Sequence, residues 1–272
     1  MPTIEDFLQH AYDEYEVGKG DTKFHIGELE PQVEDTEDGV TYWLKPLQRT
    51  FFGTKDPVFN LNDWSFYQLC KRLSPIQVKL DPRYIRACSP ALGLKQLRFW
   101  REVFKEREAL LRLKTDPHSG RVEIRGILSG LYHPLDAHMV GNILKKELKD
   151  REIEYAVTPR RWNVTFWEDM QSDDAWYHVG FRVMGSEVGA IRRLRMDVLL
   201  RFRTEKGRVI LPVLINSRPL AAIPYSNNGV TGLPKLTDNF QRGLTVASSA
   251  KEAAESRMDQ ELAYPADEFM DV

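Results

Sequence analysis

Leu110-Leu-Arg-Leu-Lys-Thr-Asp-Pro-His-Ser-Gly-Arg-Val-Glu-Ile124 marks the point where the hydrophobic period of this chain changes. Leu111 and Leu113 alternate with polar residues, as do Val122 and Ile124, which is the two-residue period of a strand with one buried face. Asp116-Pro-His-Ser-Gly120 lies between them and is rich in turn formers, so the stretch reads as a β-hairpin.

Upstream of this hairpin the period is helical. Ile4, Phe7, Leu8, Ala11, Tyr12 and Tyr15 recur every three or four residues after Thr3, a residue suited to cap a helix, and Gly18 and Gly20 end the run. Lys23–Ile26 and Val40–Leu44 read as short strands separated by an acidic, turn-rich segment. A helix capped by Asn62 or Asp63 runs to Leu73, with Trp64, Tyr67, Leu69, Cys70 and Leu73 expected inward. Leu94–Glu108 reads as a long amphipathic helix with a basic outer face. Downstream, Asp136–Leu148 is helical. Strands are expected at Ile153–Val157, Asn163–Trp167, Trp176–Met184, Leu194–Phe202 and Val209–Ile215.

Helices first and strands afterwards, without regular βαβ alternation, predict an α+β fold: one domain with a largely antiparallel sheet and flanking helices. Within it the sequence divides into an acidic helix and strand over 1–40, an α+β core over 41–230, an Ala-rich C-terminal helix over 231–262 and a mobile acidic tail over 263–272.

The net charge of −2 conceals a strong segregation. Residues 1–40 carry −10, residues 41–258 carry +13 and residues 259–272 carry −5. A basic body attracts polyanions, and acidic ends compete for the same surface or recruit proteins. No apolar run reaches the length that spans a bilayer, and Met1–Phe7 has neither the basic start nor the apolar core of a signal peptide. Cys70 and Cys88 sit among apolar and basic residues, which suits buried thiols in a reducing compartment. The expectation is a cytoplasmic protein of the host cell, or a virion component under the alternative described below.

Four segments carry a family resemblance. Asp63-Trp-Ser-Phe-Tyr-Gln-Leu-Cys-Lys-Arg-Leu73 followed by Tyr84-Ile-Arg-Ala-Cys-Ser-Pro90 resembles the signature of a phage- and plasmid-borne family catalogued as a domain of unknown function. Ile124-Arg-Gly-Ile-Leu-Ser-Gly-Leu-Tyr132 with Leu135-Asp136 is similar to its Arg-containing strand, Ser-x-x-Tyr turn and following Asp. Gly185-Ser-Glu-Val-Gly189 resembles its Ser-Glu-x-Gly turn. Asn228-Gly229 matches a later Asn-Gly, but the Cys that often precedes it is missing. The resemblance spans roughly residues 20–230. It implies a phage, prophage or plasmid origin, and it transfers no catalytic residue.

No phosphate loop, dinucleotide fingerprint, zincin helix, nucleophile elbow or paired Cys-x-x-Cys occurs, so no cofactor is expected and a non-enzymatic role is favoured. His133, Asp136 and His138 form the densest metal-capable group, but a spacing of five does not align the histidines on one helix face, and Asp136 is better read as a helix-capping carboxylate. Glu168, Asp169, Asp173 and Asp174 could hold a divalent cation, which would make a metal-dependent nuclease, although a solvated loop is the plainer explanation.

The strand Arg193–Arg203 is more informative. Leu194, Met196, Val198, Leu200 and Phe202 share one face; Arg193, Arg195, Arg201 and Arg203 share the other with Asp197 and Leu199. Such a face could track a phosphate backbone, with Arg160, Arg161, Trp162 and Arg182 adding charge and a stacking surface for unpaired bases. The competing explanation is that these arginines pair with carboxylates in the fold and that the tryptophans are core. The expected function is single-stranded nucleic-acid binding in replication or recombination, with a protein partner recruited by the acidic tail. The alternative is a phage structural or assembly protein whose segregated charges make head-to-tail contacts between copies.

Overall fold

A computed structural model describes residues 2–37, 39–47, 50–51, 54–55, 57–75, 79–148, 151–167, 177–191, 193–204, 207–213, 221–224, 237–239, 241–243, 245–246, 248–249 and 252. The α+β expectation holds, with two mostly antiparallel sheets in place of one.

Helix α1 (Ile4–Ala11) starts at Thr3, whose hydroxyl accepts from the Asp6 N–H while the Asp6 carboxylate accepts from the Thr3 N–H. One π-helical turn (Tyr12–Glu16) continues it. Strands β1 (Lys19–His25), β2 (Leu29–Thr36) and β3 (Gly39–Pro46) follow; a short β4–β5 ladder (Thr50–Phe51, Thr54–Lys55) precedes β6 (Phe59–Leu61). Helices α2 (Asp63–Arg72), α3 (Pro82–Ala87) and α4 (Pro90–Val103) lead to β7 (Glu108–Thr115) and β8 (Val122–Ser129), the antiparallel hairpin read from the sequence. The first sheet has the order β1-β7-β8-β6-β3-β2, with one parallel pair, β6–β8.

Strand β2 replaces the turn-rich segment expected there. Leu29 and Pro31 point inward while Glu34, Asp35 and Thr36 are exposed, so charge on an edge strand had masked the alternation. Helix α4 begins four residues before the expected start and stops at Val103, because Glu108 already belongs to β7. In α2 the inward residues are Phe66, Leu69 and Cys70 with Ser65 and Gln68; Trp64 is half-buried and Tyr67 is exposed, contrary to expectation. Cys70 is fully buried, which pushes its thiol up to about 12, whereas Cys88 is only half-buried.

Helix α5 (Ala137–Leu148) opens the second half, followed by β9 (Glu154–Val157), β10 (Trp162–Trp167), β11 (Tyr177–Gly185), β12 (Arg193–Thr204), β13 (Gly207–Val213) and β14 (Ala221–Pro224). The order is β13-β12-β11-β10-β9, and β14 shares the β12 edge with β13. Of the expected C-terminal helix, 237–239, 241–243, 245–246, 248–249 and 252 are helical; the acidic tail, the Glu168–Asp174 carboxylates and Trp176 lie outside the described residues.

Each sheet has its own core. Phe66, Leu69, Cys70, Ile85 and Leu97 from α2–α4 pack on Leu44, Phe59, Leu111, Leu113 and Ile124 of the first sheet. Phe7, Ala11, Val140 and Leu144 from α1 and α5 pack on Trp162, Phe166, Phe181, Met196 and Val198 of the second. Among the described residues no helix is long and apolar enough to cross a membrane.

Candidate functional site

The back of the first sheet, opposite α2–α4, is charged. Leu111 and Leu113 are spent on the core, so Arg112 between them points the other way. The β7–β8 register slips at Arg112/Leu113, leaving Arg125 without an opposite residue on β7 and on the Arg112 side of the sheet. Asp21 pairs with Arg112 across β1–β7.

Arg112 is fully buried and its guanidinium is surrounded by acceptors. Nη1 and Nη2 donate to the two Asp136 oxygens at 2.8 and 3.1 Å, Nη1 also reaches the Glu187 carbonyl at 2.8 Å, and Nε and Nη2 reach Asp21 at 3.2 and 2.8 Å. This is the bidentate geometry that suits a buried guanidinium. Lys19 donates to Asp136 and, at 3.1 Å, to Glu16. Arg125 donates to the Tyr15 carbonyl at 3.0 Å, lies 4.8 Å from the centre of the Tyr15 ring and sits 3.5 Å from Glu187 without hydrogen-bond alignment. Lys114 donates to the Glu14 carbonyl at 2.8 Å, so two cations satisfy carbonyls at the C-terminal end of the first helical segment.

Asp136 is correctly placed before α5, but its carboxylate does not cap the helix. Glu187 does so, accepting from the Ala137 N–H at 2.8 Å, while Asp136 serves Arg112 and Lys19. Burial pushes the Asp136 carboxyl up, but Arg112 and then Lys19 outweigh it and hold it below 3.8. Burial also opposes the charge on Lys19, and Asp136 raises it nonetheless. Glu187 behaves differently: burial, then repulsion from Asp136, holds its carboxyl above 4.5 against the pull of Arg112, the Ala137 N–H and Arg125.

A raised carboxyl contributes stability that is full below its unfolded value and is lost as pH rises through its folded value. Glu187→Gln keeps an acceptor for Ala137 and removes that dependence. Thermal unfolding between about pH 5 and pH 8 should therefore show the difference between variant and wild type moving in the variant's favour as pH rises. A difference that stays constant would mean that Glu187 titrates as an ordinary carboxylate.

Glu16, Asp136 and His138 bring one ligand atom each within 4.8 Å of one another, a spacing compatible with a metal ion. The ammonium of Lys19 already bonds two of the three, so the cation that balances them belongs to the chain. His133 is exposed and outside this group. Lys19, Arg112 and Arg125 against Glu16, Asp21, Asp136 and Glu187 make an ion lattice that joins β1, β7, β8, α5 and the turn after β11. Of this lattice, sequence reasoning gave a role to Asp136 and quoted Arg125 and Glu187 only within the family resemblance. An arginine inside the apolar alternation of Leu110–Leu113 was the available signal for its centre.

Some of the acids of residues 1–40 find cations within the fold: Glu5 with Lys145, Glu14 with Lys114, Glu16 with Lys19 and His138, Asp21 with Arg112, and Glu30 with Arg98 and Arg101, while Glu34 and Asp35 stay exposed.

The arginine strand divides in two. Asp197 is fully buried and is shared by Arg195 at 2.8 Å and Arg182 at 3.4 Å. Arg201 bonds Glu154 at 3.2 Å and lies 4.2 Å from the centre of the Trp167 ring, which packs against Gly180: a Cβ there would meet the ring at 2.3 Å. These three arginines are partnered by carboxylates, and Trp162 is core, 1% exposed, with no face for a base. Arg160, Arg161 and Arg193 are exposed and have no carboxylate partner among the described residues. The register places them together: Trp162 opposes Gly185 and Met184 opposes Arg195, so Arg161, Ser186 and Arg193 border one end of the sheet. The backbone of Arg203 continues β12, and its side chain lies outside the described residues.

Scans against protein-family models, curated proteins and solved structures found no match to this chain. Two of the segments quoted above, Ile124–Asp136 and Gly185–Gly189, meet in space: Arg125, Asp136 and Glu187 belong to the lattice, and the Tyr132 hydroxyl donates to the Ser186 carbonyl at 3.0 Å; Asn228-Gly229 lies outside the described residues.

Proposed function

We propose that this protein binds single-stranded nucleic acid without catalysing a reaction on it, in the cytoplasm of a host cell and in the service of a phage or plasmid. The observation that carries this reading is the group of exposed arginines without carboxylate partners, Arg160, Arg161 and Arg193, at one end of the second sheet. Guanidinium groups left unpaired on a surface are free for charge-assisted contacts to phosphate, and three together follow a backbone independently of sequence. Arg182, Arg195 and Arg201 act behind them as part of the scaffold, holding strands together through Asp197 and Glu154. The tail acids Asp267, Glu268 and Asp271 are the remaining candidates for a protein partner. A structural protein built on head-to-tail charge pairing would have to use the N-terminal acids that stay exposed, Glu34 and Asp35 among them, since Glu14 and Glu30 are paired within the chain.

The test is binding to labelled single- and double-stranded DNA and RNA across a salt series. Replacing Arg160, Arg161 and Arg193 together with Gln should weaken binding alike for all sequences and reduce the salt slope by about two to three units. Stability should change by no more than about 0.5 kcal/mol for each exposed position. Unchanged affinity and slope in the triple variant would sink the reading.

A further inference from the structure

Beside the arginine end of the second sheet, helix α2 presents two aromatic rings that neither core uses. Trp64 and Tyr67, one turn apart, stack with centroids 5.5 Å apart and planes 22° from parallel. The Trp64 indole N–H donates to the Val188 carbonyl at 2.9 Å, which fixes the plane of that ring. Arg160 lies 5.5 Å from the centre of the same ring. The turn between β11 and β12 ties these pieces together: the Ser186 hydroxyl donates to the Arg160 carbonyl at 2.6 Å, and Gln68 of α2 donates to the Val188 carbonyl at 2.8 Å. Tyr67 itself is 42% exposed, and its hydroxyl has no partner among the described residues.

We infer that Tyr67, backed by Trp64, is a stacking platform for an unpaired base whose flanking phosphates are held by Arg160 and Arg161. This rests on the nucleic-acid reading above and adds to it the reason for preferring single strands. Stacking needs a flat π surface that is open on one side and held rigid on the other. The Trp64 ring, pinned at its N–H and stacked beneath Tyr67, supplies the rigid side. A duplex keeps its bases inside and cannot use such a platform, whereas a single strand offers a base face with every nucleotide. Cations beside the ring stack suit the phosphates on either side of the stacked base. Trp162, the aromatic that sequence reasoning nominated for this role, is buried; Tyr67 takes its place from a different element.

The experiment compares wild type, Tyr67→Ala and Tyr67→Phe on two probes of equal length and charge, an oligothymidylate and an abasic deoxyribose-phosphate strand. Stacking predicts that Tyr67→Ala loses about tenfold in affinity for the oligothymidylate, that its affinity for the abasic strand is unchanged, and that Tyr67→Phe binds both as wild type does. Equal affinities of wild type and Tyr67→Ala for the oligothymidylate, or an equal loss on both probes, would overturn the platform while leaving the arginine contacts standing. Failure of the wild type to bind either probe would overturn the platform and the nucleic-acid reading together.

Discussion

Asp136→Asn is expected to destabilise the protein by about 3–5 kcal/mol, because it removes one charge from a buried, hydrogen-bonded ion pair and leaves the other behind. The Asp136 side chain is 7% exposed and that of Arg112 is fully buried, so water cannot replace what is lost. Asn retains one acceptor oxygen, yet its amide would point N–H groups at Arg112 or Lys19, which are themselves donors only. In a domain of this size the loss should appear as a fall of roughly 10 °C in the melting temperature. The pH dependence has a definite sign. Asp136 is held below 3.8, so its contribution is full above that value and is lost only as pH falls through its depressed folded value. Calorimetry of wild type and variant should therefore show a large gap at neutral pH that narrows toward strong acid. A gap below about 1 kcal/mol at pH 7 would mean that the pair relaxes into water and that the lattice does not hold the two sheets together.

Gly18→Ala should cost about 2–5 kcal/mol, combining a left-handed backbone with overpacking. Gly18 adopts φ +69°, and a Cβ there would lie 2.1 Å from the Thr115 carbonyl oxygen, an atom of strand backbone that cannot move aside. The Gly18 carbonyl also accepts from the Thr115 N–H at 2.7 Å, so the close approach is part of the sheet edge. The consequence reaches the lattice because Gly18 separates Glu16, at the end of the π-helical turn, from Lys19, at the start of β1. Only this tight reversal lets both side chains reach each other beside Asp136. Gly20→Ala, in the extended strand, should cost far less, since Gly20 does not adopt a positive φ. Denaturant unfolding of the two variants checks this; equal costs would remove the special role given to Gly18.

Local chemistry was legible in the residues themselves. Thr3 and Asn62 cap their helices through hydrogen bonds to residues three positions on. The turn at Asp116–Gly120 closes the hairpin, and the alternation of Leu194, Met196 and Val198 buries one face of β12. Each of these rests on interactions within a few residues, and periodicity reports them directly. Helix phase was less legible. Trp64 and Tyr67 are apolar enough to read as core, but Phe66, Leu69 and Cys70 share the face that the first sheet covers, and nothing within α2 alone says where that sheet lies.

The sequence determined that this chain is α+β, that its alternating strands carry arginines on a polar face, and that its charges are segregated along its length. Only the tertiary structure decided which charges meet. Arg112 finds Asp21 across 91 positions and Asp136 across 24, and Arg201 finds Glu154 across 47. With 38 cationic and 40 acidic side chains there are many combinations of equal chemical merit. Charge attraction has no period along the chain, so the choice among them falls to burial and strand register, which place a few groups within 3 Å of each other out of water and leave Arg160, Arg161 and Arg193 outside.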